Sequence, residues 1–210
     1  MTSWFKFNRN NRNTAVRQHA ILTGIKIKNA KGESVLISDY WKTATLVMKV
    51  FRRFGCPLCR YEAKLLSELK PTFEELGIEL IGVGFEENRL GEFITGGFWA
   101  WQILIDTNLT IHNILELPKL EISRGLDDLV NSVTRNAVAK ASRLKITGDA
   151  KGDGFQMGGT FVFEKTTGKM LFAHRQTGAG NFPSFKELIK ACGGDPNSIE
   201  EKYPRECLTQ

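Results

Sequence analysis

No apolar run in this chain approaches the ~18 residues that a membrane-spanning helix needs, and histidine and cysteine are scarce, with three and four among 210 residues. His19, His112 and His174 are scattered, and Cys192 and Cys207 stand far from the one close pair, Cys56 and Cys59. A structural zinc site needs four ligands, usually as two pairs, so no metal is expected. The N-terminus carries no apolar secretory core, so an oxidising compartment is not expected and structural disulfides should not persist. A cytoplasmic location is therefore the expectation.

Acid is also missing where it would matter most. No Asp or Glu precedes Glu33, while Lys6, Arg9, Arg12, Arg17, Lys26, Lys28 and Lys31 do. The net charge of +6 therefore belongs to an N-terminal arm and the strand after it, and the rest of the chain is near neutral. That distribution does not make a nucleic-acid groove. An Arg-bearing, acid-poor start also fits a mitochondrial presequence, but the Ser content and amphipathic helix of one are lacking. The expected organisation is a basic flexible arm over 1–18, one domain over 19–192 and a polar tail over 193–210.

What is present is a regular α/β pattern. Ala20–Ile37 alternates around a turn at Ala30–Gly32 and predicts a β-hairpin. Ala44–Phe51 and Ile78–Phe85 are almost continuously apolar, as strands buried on both faces are, and Trp101–Ile105 predicts a third. Helical spacing begins at Pro57 and resumes at Pro71; Asp106 or Asn108 should cap a short helix that Pro118 ends. A long helical stretch from Gly125 precedes a last hairpin, Thr160–Glu164 with Lys169–His174, and a helix over Ser184–Ala191. The predicted fold is α/β: a mixed central sheet flanked by helices, with an N-terminal hairpin and a helical insertion before the last one.

The chemistry concentrates in "VFRRFGCPLCRYEA", where the first buried strand hands over to its helix. Pro57 suits the first helical position, which makes Cys56 the N-cap and puts its sulfur at the positive end of the helix dipole. Cys59 is one turn deeper, within reach for a disulfide. Holding a thiol ionised at neutral pH takes about 2 kcal/mol of thiolate stabilisation. A helix terminus typically supplies ~0.3–1 kcal/mol, so Arg52, Arg53 and Arg60 are candidates for the remainder. Redox chemistry at Cys56 and Cys59 is the expected function.

"VFRRFGCPLCRYEA", "GIELIGVGFE", "ILIDTN", "MGGTFVF" and "LFAHRQTGAG", in that order, resemble the thioredoxin-fold peroxiredoxin-like (AhpC/TSA-type) family from about Ala20 to about Ile189. The resemblance implies a thioredoxin-like fold and reductive cleavage of an O–O bond, a prostaglandin or prostamide endoperoxide becoming the F-type diol. It implies that Cys56 attacks and Cys59 resolves. It also implies that NADPH supplies electrons indirectly through a thioredoxin-type reductant, with no cofactor bound; "GVGFEENRLGEF" lacks the third glycine of a dinucleotide site. Peroxiredoxins proper carry Thr or Ser where Arg53 stands. Thioredoxin carries Trp at the place of Gly55 and a cis-proline where "MGGT" lies. Fast hydrogen peroxide reduction and general disulfide reduction are therefore less expected. A broader thiol antioxidant for lipid or alkyl hydroperoxides or disulfides, and a non-enzymatic redox sensor, stand as the alternatives.

Gly158, Gly159 and Thr160 should lie beside the cysteines, either for tight strand packing or as a substrate loop. Trp99 and Trp101 are expected as aromatic packing before a substrate wall. His174 and Arg175 are expected to bond at a strand end before a substrate head group. Cys192 and Cys207 are read as bystanders.

Overall fold

Every residue of β3 (Thr45–Val50) after the first is buried, as the continuous apolar run requires. The computed structural model describes Gln18 and residues 21–121 and 131–199. The expected N-terminal arm up to Arg17, the start of the helix predicted from Gly125, the end of the tail and Cys207 lie outside the described residues.

The chain enters through the hairpin of β1 (Lys26–Asn29) and β2 (Ser34–Leu36), then a helical turn, α1 (Asp39–Thr43). After β3 come α2 (Pro57–Glu68), α3 (Lys70–Glu75), β4 (Ile78–Gly84), α4 (Leu90–Thr95) and β5 (Gln102–Ile105). Next are α5 (Thr110–Ile114) and α6 (Ser132–Arg143), and the chain closes with β6 (Gly159–Phe163), β7 (Met170–Arg175) and α7 (Phe185–Ala191). The seven strands form one sheet in the order β2-β1-β5-β4-β3-β6-β7. β3 to β4 and β4 to β5 are parallel, while β1, β6 and β7 join antiparallel. The predicted mixed sheet is the one observed. The N-cap of α5 is Leu109, in left-handed backbone, and not Asp106 or Asn108; the Asp106 carboxylate nevertheless accepts from the first N–H groups of the helix, those of Thr110 at 3.0 Å and Ile111 at 2.7 Å.

Alternation along β3 sorts the core into two layers. Val47 and Phe51 pack with Leu66, Ala137 and Leu188 beneath α2, α6 and α7. Leu46, Met48 and Val50 pack on the opposite face with Trp41, Ile111 and Phe161. The exception is Lys49, 1% exposed, which points into the first layer among apolar neighbours. Its Nζ lies 2.5 Å from Glu62 Oε1 on α2, and Glu62 Oε2 accepts from Gln176 Nε2 at 3.0 Å. That buried pair ties the helix behind the cysteines to the strand ahead of them.

Candidate active site

The two cysteines sit where the carboxyl end of β3 meets α2. Phe51 and Phe54 anchor the intervening loop on Phe93 and Trp99, with ring centroids 5.0–5.2 Å apart for Phe54–Phe93, Phe51–Phe93 and Phe51–Trp99. At Gly84, the last residue of β4, the Phe54 ring occupies the space a Cβ would need. Cys56 is the N-cap of α2 with extended backbone (φ −72°, ψ 124°), and Pro57 opens the helix. The backbone N–H of Cys59, in the first turn of α2, faces this sulfur and helps to lower its pKa, alongside the dipole of the helix.

Both thiols are free and buried, each 4% exposed. Their tuning is opposite. The hydrogen bond from the Cys59 thiol holds Cys56 well below an ordinary thiol, against the effect of burial, and the Arg52 and Arg53 charges add to it. That same hydrogen bond, together with burial and the charge on Cys56, pushes Cys59 well above. One sulfur is thus prepared to be a thiolate while its neighbour keeps the proton.

The three arginines divide their work. Arg52 Nη2 lies 3.8 Å from Cys56 Sγ with both residues buried, so it is the guanidinium at the sulfur. Arg53 donates to the carbonyls of Lys151 at 2.5 Å and Asp149 at 3.3 Å. Arg60 is directed away from the thiolate, which corrects its expected place there. It donates to Phe54 O at 2.9 Å, Thr147 O at 2.8 Å and Glu92 Oε2 at 3.2 Å, and its guanidinium lies over the Phe98 ring. Sequence adjacency could not assign these roles, because the carbonyls that hold Arg53 and Arg60 in the 147–151 segment lie 87 to 98 residues later. Replacing Arg52 with alanine should slow alkylation of Cys56 by iodoacetamide at neutral pH by roughly three- to tenfold, through a smaller thiolate fraction. Timed peptide mass spectrometry reads this, and an unchanged rate would remove Arg52 from the thiolate's support.

The substrate-loop expectation for Gly158, Gly159 and Thr160 is also corrected. Gly159 and Thr160 are strand residues of β6, paired with Val50 and Lys49, and Thr160 is fully buried. A Cβ on Gly158 would come under 3.0 Å from the Val50 carbonyl, and one on Gly159 equally close to that of His174. Strand packing thus accounts for both glycines. Trp99 is core, 7% exposed, edge-on to Phe51 and tilted against Trp101. His174 Nε2 lies 3.0 Å from Asn181 O, and Arg175 donates to Leu115 O at 2.6 Å. Cys192 is the C-cap of α7, packed against the first core layer, and burial pushes its thiol up to about 12. The described residues gather no group of three or more His, Cys, Asp or Glu suited to a metal. No helix among them is long and apolar enough to cross a membrane.

A parallel β3–α2–β4 unit with an antiparallel β6–β7 hairpin on its other side, and two thiols at the first turn of α2, define a thioredoxin fold of peroxiredoxin type. Solved structures share it at the level of backbone. A Cys-to-Ser mutant of PrxQ from Xylella fastidiosa aligns with a TM-score of 0.56 at 15% identity, covering 86% of this chain and 91% of that one. Peroxiredoxin Q from Xanthomonas campestris aligns at 0.58 and 13%, covering 83% and 92%. The family profile described as AhpC/TSA antioxidant enzyme matches residues 65–178. The chain belongs to the AhpC/TSA family. Curated relatives include a prostamide/prostaglandin F synthase of Xenopus tropicalis, 30% identical over 182 residues, covering 86% of this chain and 90% of the relative. Another of the same name from Aquarana catesbeiana is 33% identical over 189 residues, covering 90% and 94%. The profile match begins after the motif, so the assignment of Cys56 and Cys59 rests on their geometry.

Proposed function

We propose that this chain is a thiol-dependent oxidoreductase that cleaves O–O bonds of lipid-sized organic peroxides, and that its substrate is a prostaglandin or prostamide endoperoxide reduced to the F-type diol. The observation that carries the reading is the placement of two free, buried thiols at the N-cap and first turn of α2, with the Arg52 guanidinium 3.8 Å from Cys56 Sγ; the opposite tuning of the two thiols supports it. The names borne by the curated relatives support the choice of endoperoxide.

The chemistry balances on these two residues. The Cys56 thiolate attacks one peroxide oxygen; the S–O bond forms, the O–O bond breaks, and the departing oxygen leaves as an alkoxide that takes up a proton from solvent. Cys59 then loses its proton and attacks Cys56 Sγ. The S–S bond forms, the S–O bond breaks, and the second oxygen leaves and is protonated, giving the diol. The peroxide gains two electrons and the cysteine pair loses two. A thioredoxin-type dithiol returns them by exchange and is itself regenerated from NADPH, so no cofactor is bound to this chain. A reducing compartment suits such a cycle, and we assign the cytoplasm.

The family description as an antioxidant enzyme favours one second reading, alkyl or lipid hydroperoxide reduction by the same two steps, with water as the final leaving product. NADPH oxidation in the presence of thioredoxin and thioredoxin reductase separates the readings when endoperoxide, alkyl hydroperoxide and insulin are supplied in parallel. Turnover fastest with endoperoxide is the expected result. Preference for the alkyl hydroperoxide selects the antioxidant, and no turnover with any of the three leaves a redox sensor.

A further inference from the structure

Cys56 and Cys59 are each only 4% exposed, yet a lipid peroxide and a protein dithiol must each reach one of their sulfurs. One segment lies against the residues on either side of Cys56. Between α6 and β6 the segment 146–151 crosses the loop that carries Cys56. The Asp149 N–H donates to Gly55 O at 2.8 Å, one residue before the sulfur. Gly148 lies so close that a Cβ there would come under 3.0 Å from Gly55 O and from the Pro57 ring, on either side of Cys56. Thr147, Gly148, Ala150 and Lys151 are exposed to solvent, while Gly55 and Cys56 beneath them are buried.

The attachment of this segment is almost wholly polar. Arg60 and Arg53 hold the carbonyls of Thr147, Asp149 and Lys151, and Arg89 Nε pairs with Asp149 Oδ2 at 2.8 Å. Ile146 is its one buried apolar residue. Each end turns through left-handed backbone, at Lys145 (φ 53°) and Gly152 (φ 95°), so the crossing is set off from α6 and from the loop that leads on to β6. A segment with few apolar contacts and peripheral hydrogen bonds opens at low cost relative to the core.

We propose that residues 146–151 are a strap closed over Cys56, that substrate and reductant reach the sulfur only when it lifts, and that Arg89–Asp149 and the close seat of Gly148 are its fastenings. Two of the arginines beside the motif, Arg53 and Arg60, thereby bind the cover as well as the loop. This deepens the reading of Cys56 as the attacking sulfur, but access can be measured without any peroxide.

The test compares a small reagent, iodoacetamide, with a bulky one, maleimide-linked polyethylene glycol, reading modification at Cys56 by peptide mass spectrometry. The small reagent tracks thiolate reactivity, and the bulky-to-small rate ratio tracks access. Gly148→Ala, which cannot seat on Gly55, should raise that ratio about tenfold, and Arg89→Ala, which leaves the core untouched, should raise it by roughly threefold. Circular dichroism and thermal melting of Arg89→Ala should match the parent. A ratio unchanged in both variants overturns the strap. If Gly148→Ala fails to fold, Arg89→Ala alone decides. A raised ratio in a protein that turns over no peroxide would keep the strap and defeat the proposed reaction; normal peroxide turnover with an unchanged ratio would do the reverse.

Discussion

Replacing Cys56 with serine is expected to lower peroxide reduction by at least about a thousandfold, because a hydroxyl offers no thiolate at neutral pH and no other side chain shares its position. Cys59→Ser should behave differently. The first attack needs only the Cys56 sulfur, so this variant should consume about one equivalent of peroxide and then stop, leaving Cys56 as a sulfenate ester that still carries the lipid when the substrate is an endoperoxide, or as a sulfenic acid when it is a hydroperoxide. Mass spectrometry of the reacted protein distinguishes the two species. The thiol at 59 also donates the hydrogen bond that most lowers Cys56. Serine keeps a donor there, whereas Cys59→Ala does not, so Cys56 should alkylate more slowly at neutral pH in the alanine variant than in the serine one. Sustained turnover by Cys59→Ser would show that the second thiol comes from elsewhere.

Glu62→Ala should be the most destabilising single change outside the thiols, by about 3–5 kcal/mol, because it strands Lys49 as an uncompensated charge in the core. Lys49 and Glu62 side chains are each 1% exposed, and no solvent can take over the lost partner. The double replacement Lys49→Met with Glu62→Leu removes both charges and should recover most of that loss. Urea denaturation of the parent, the two singles and the double gives the coupling directly. Additive effects would mean that the pair does not act as a unit. Gln176, whose amide donates to the other Glu62 oxygen, should cost less when replaced, since Lys49 keeps its partner.

Local pattern carried the elements well. The apolar runs of β3 and β4 and the Pro57 start of α2 each depend on residues a few positions apart, and each appears where its own physics requires. Position 49 shows what pattern alone misses. A lysine inside "TLVMKV" reads as a tolerated blemish in an apolar run, and Glu62 takes a place in the stripe of Leu58, Leu65 and Leu69 where an aliphatic residue belongs. Each irregularity was a signal that the other could have explained, but nothing local said that strand and helix would bring them together. The arginines show the same limit. "RRFGCPLCR" places three cations around the cysteines, yet which of them faces sulfur is decided by carbonyls of residues 147–151, whose position depends on the whole intervening chain. For Gly158 and Gly159, strand packing and a substrate loop were both open from sequence; that Val50 and His174 crowd them needed the sheet register.

The manner in which Arg53 and Arg60 grip the segment over Cys56 also sets how freely that segment can drift. They bond to main-chain oxygens of Thr147, Asp149 and Lys151, and every amino acid offers the same oxygen. Side chains at 147, 150 and 151 are exposed and can be exchanged, tagged or labelled while those bonds persist. Three positions are constrained in kind: Ile146, by its burial, Gly148, by the space it lacks, and Asp149, by its carboxylate. A fluorophore or spin label carried at 150 would therefore report on the cover without loosening it.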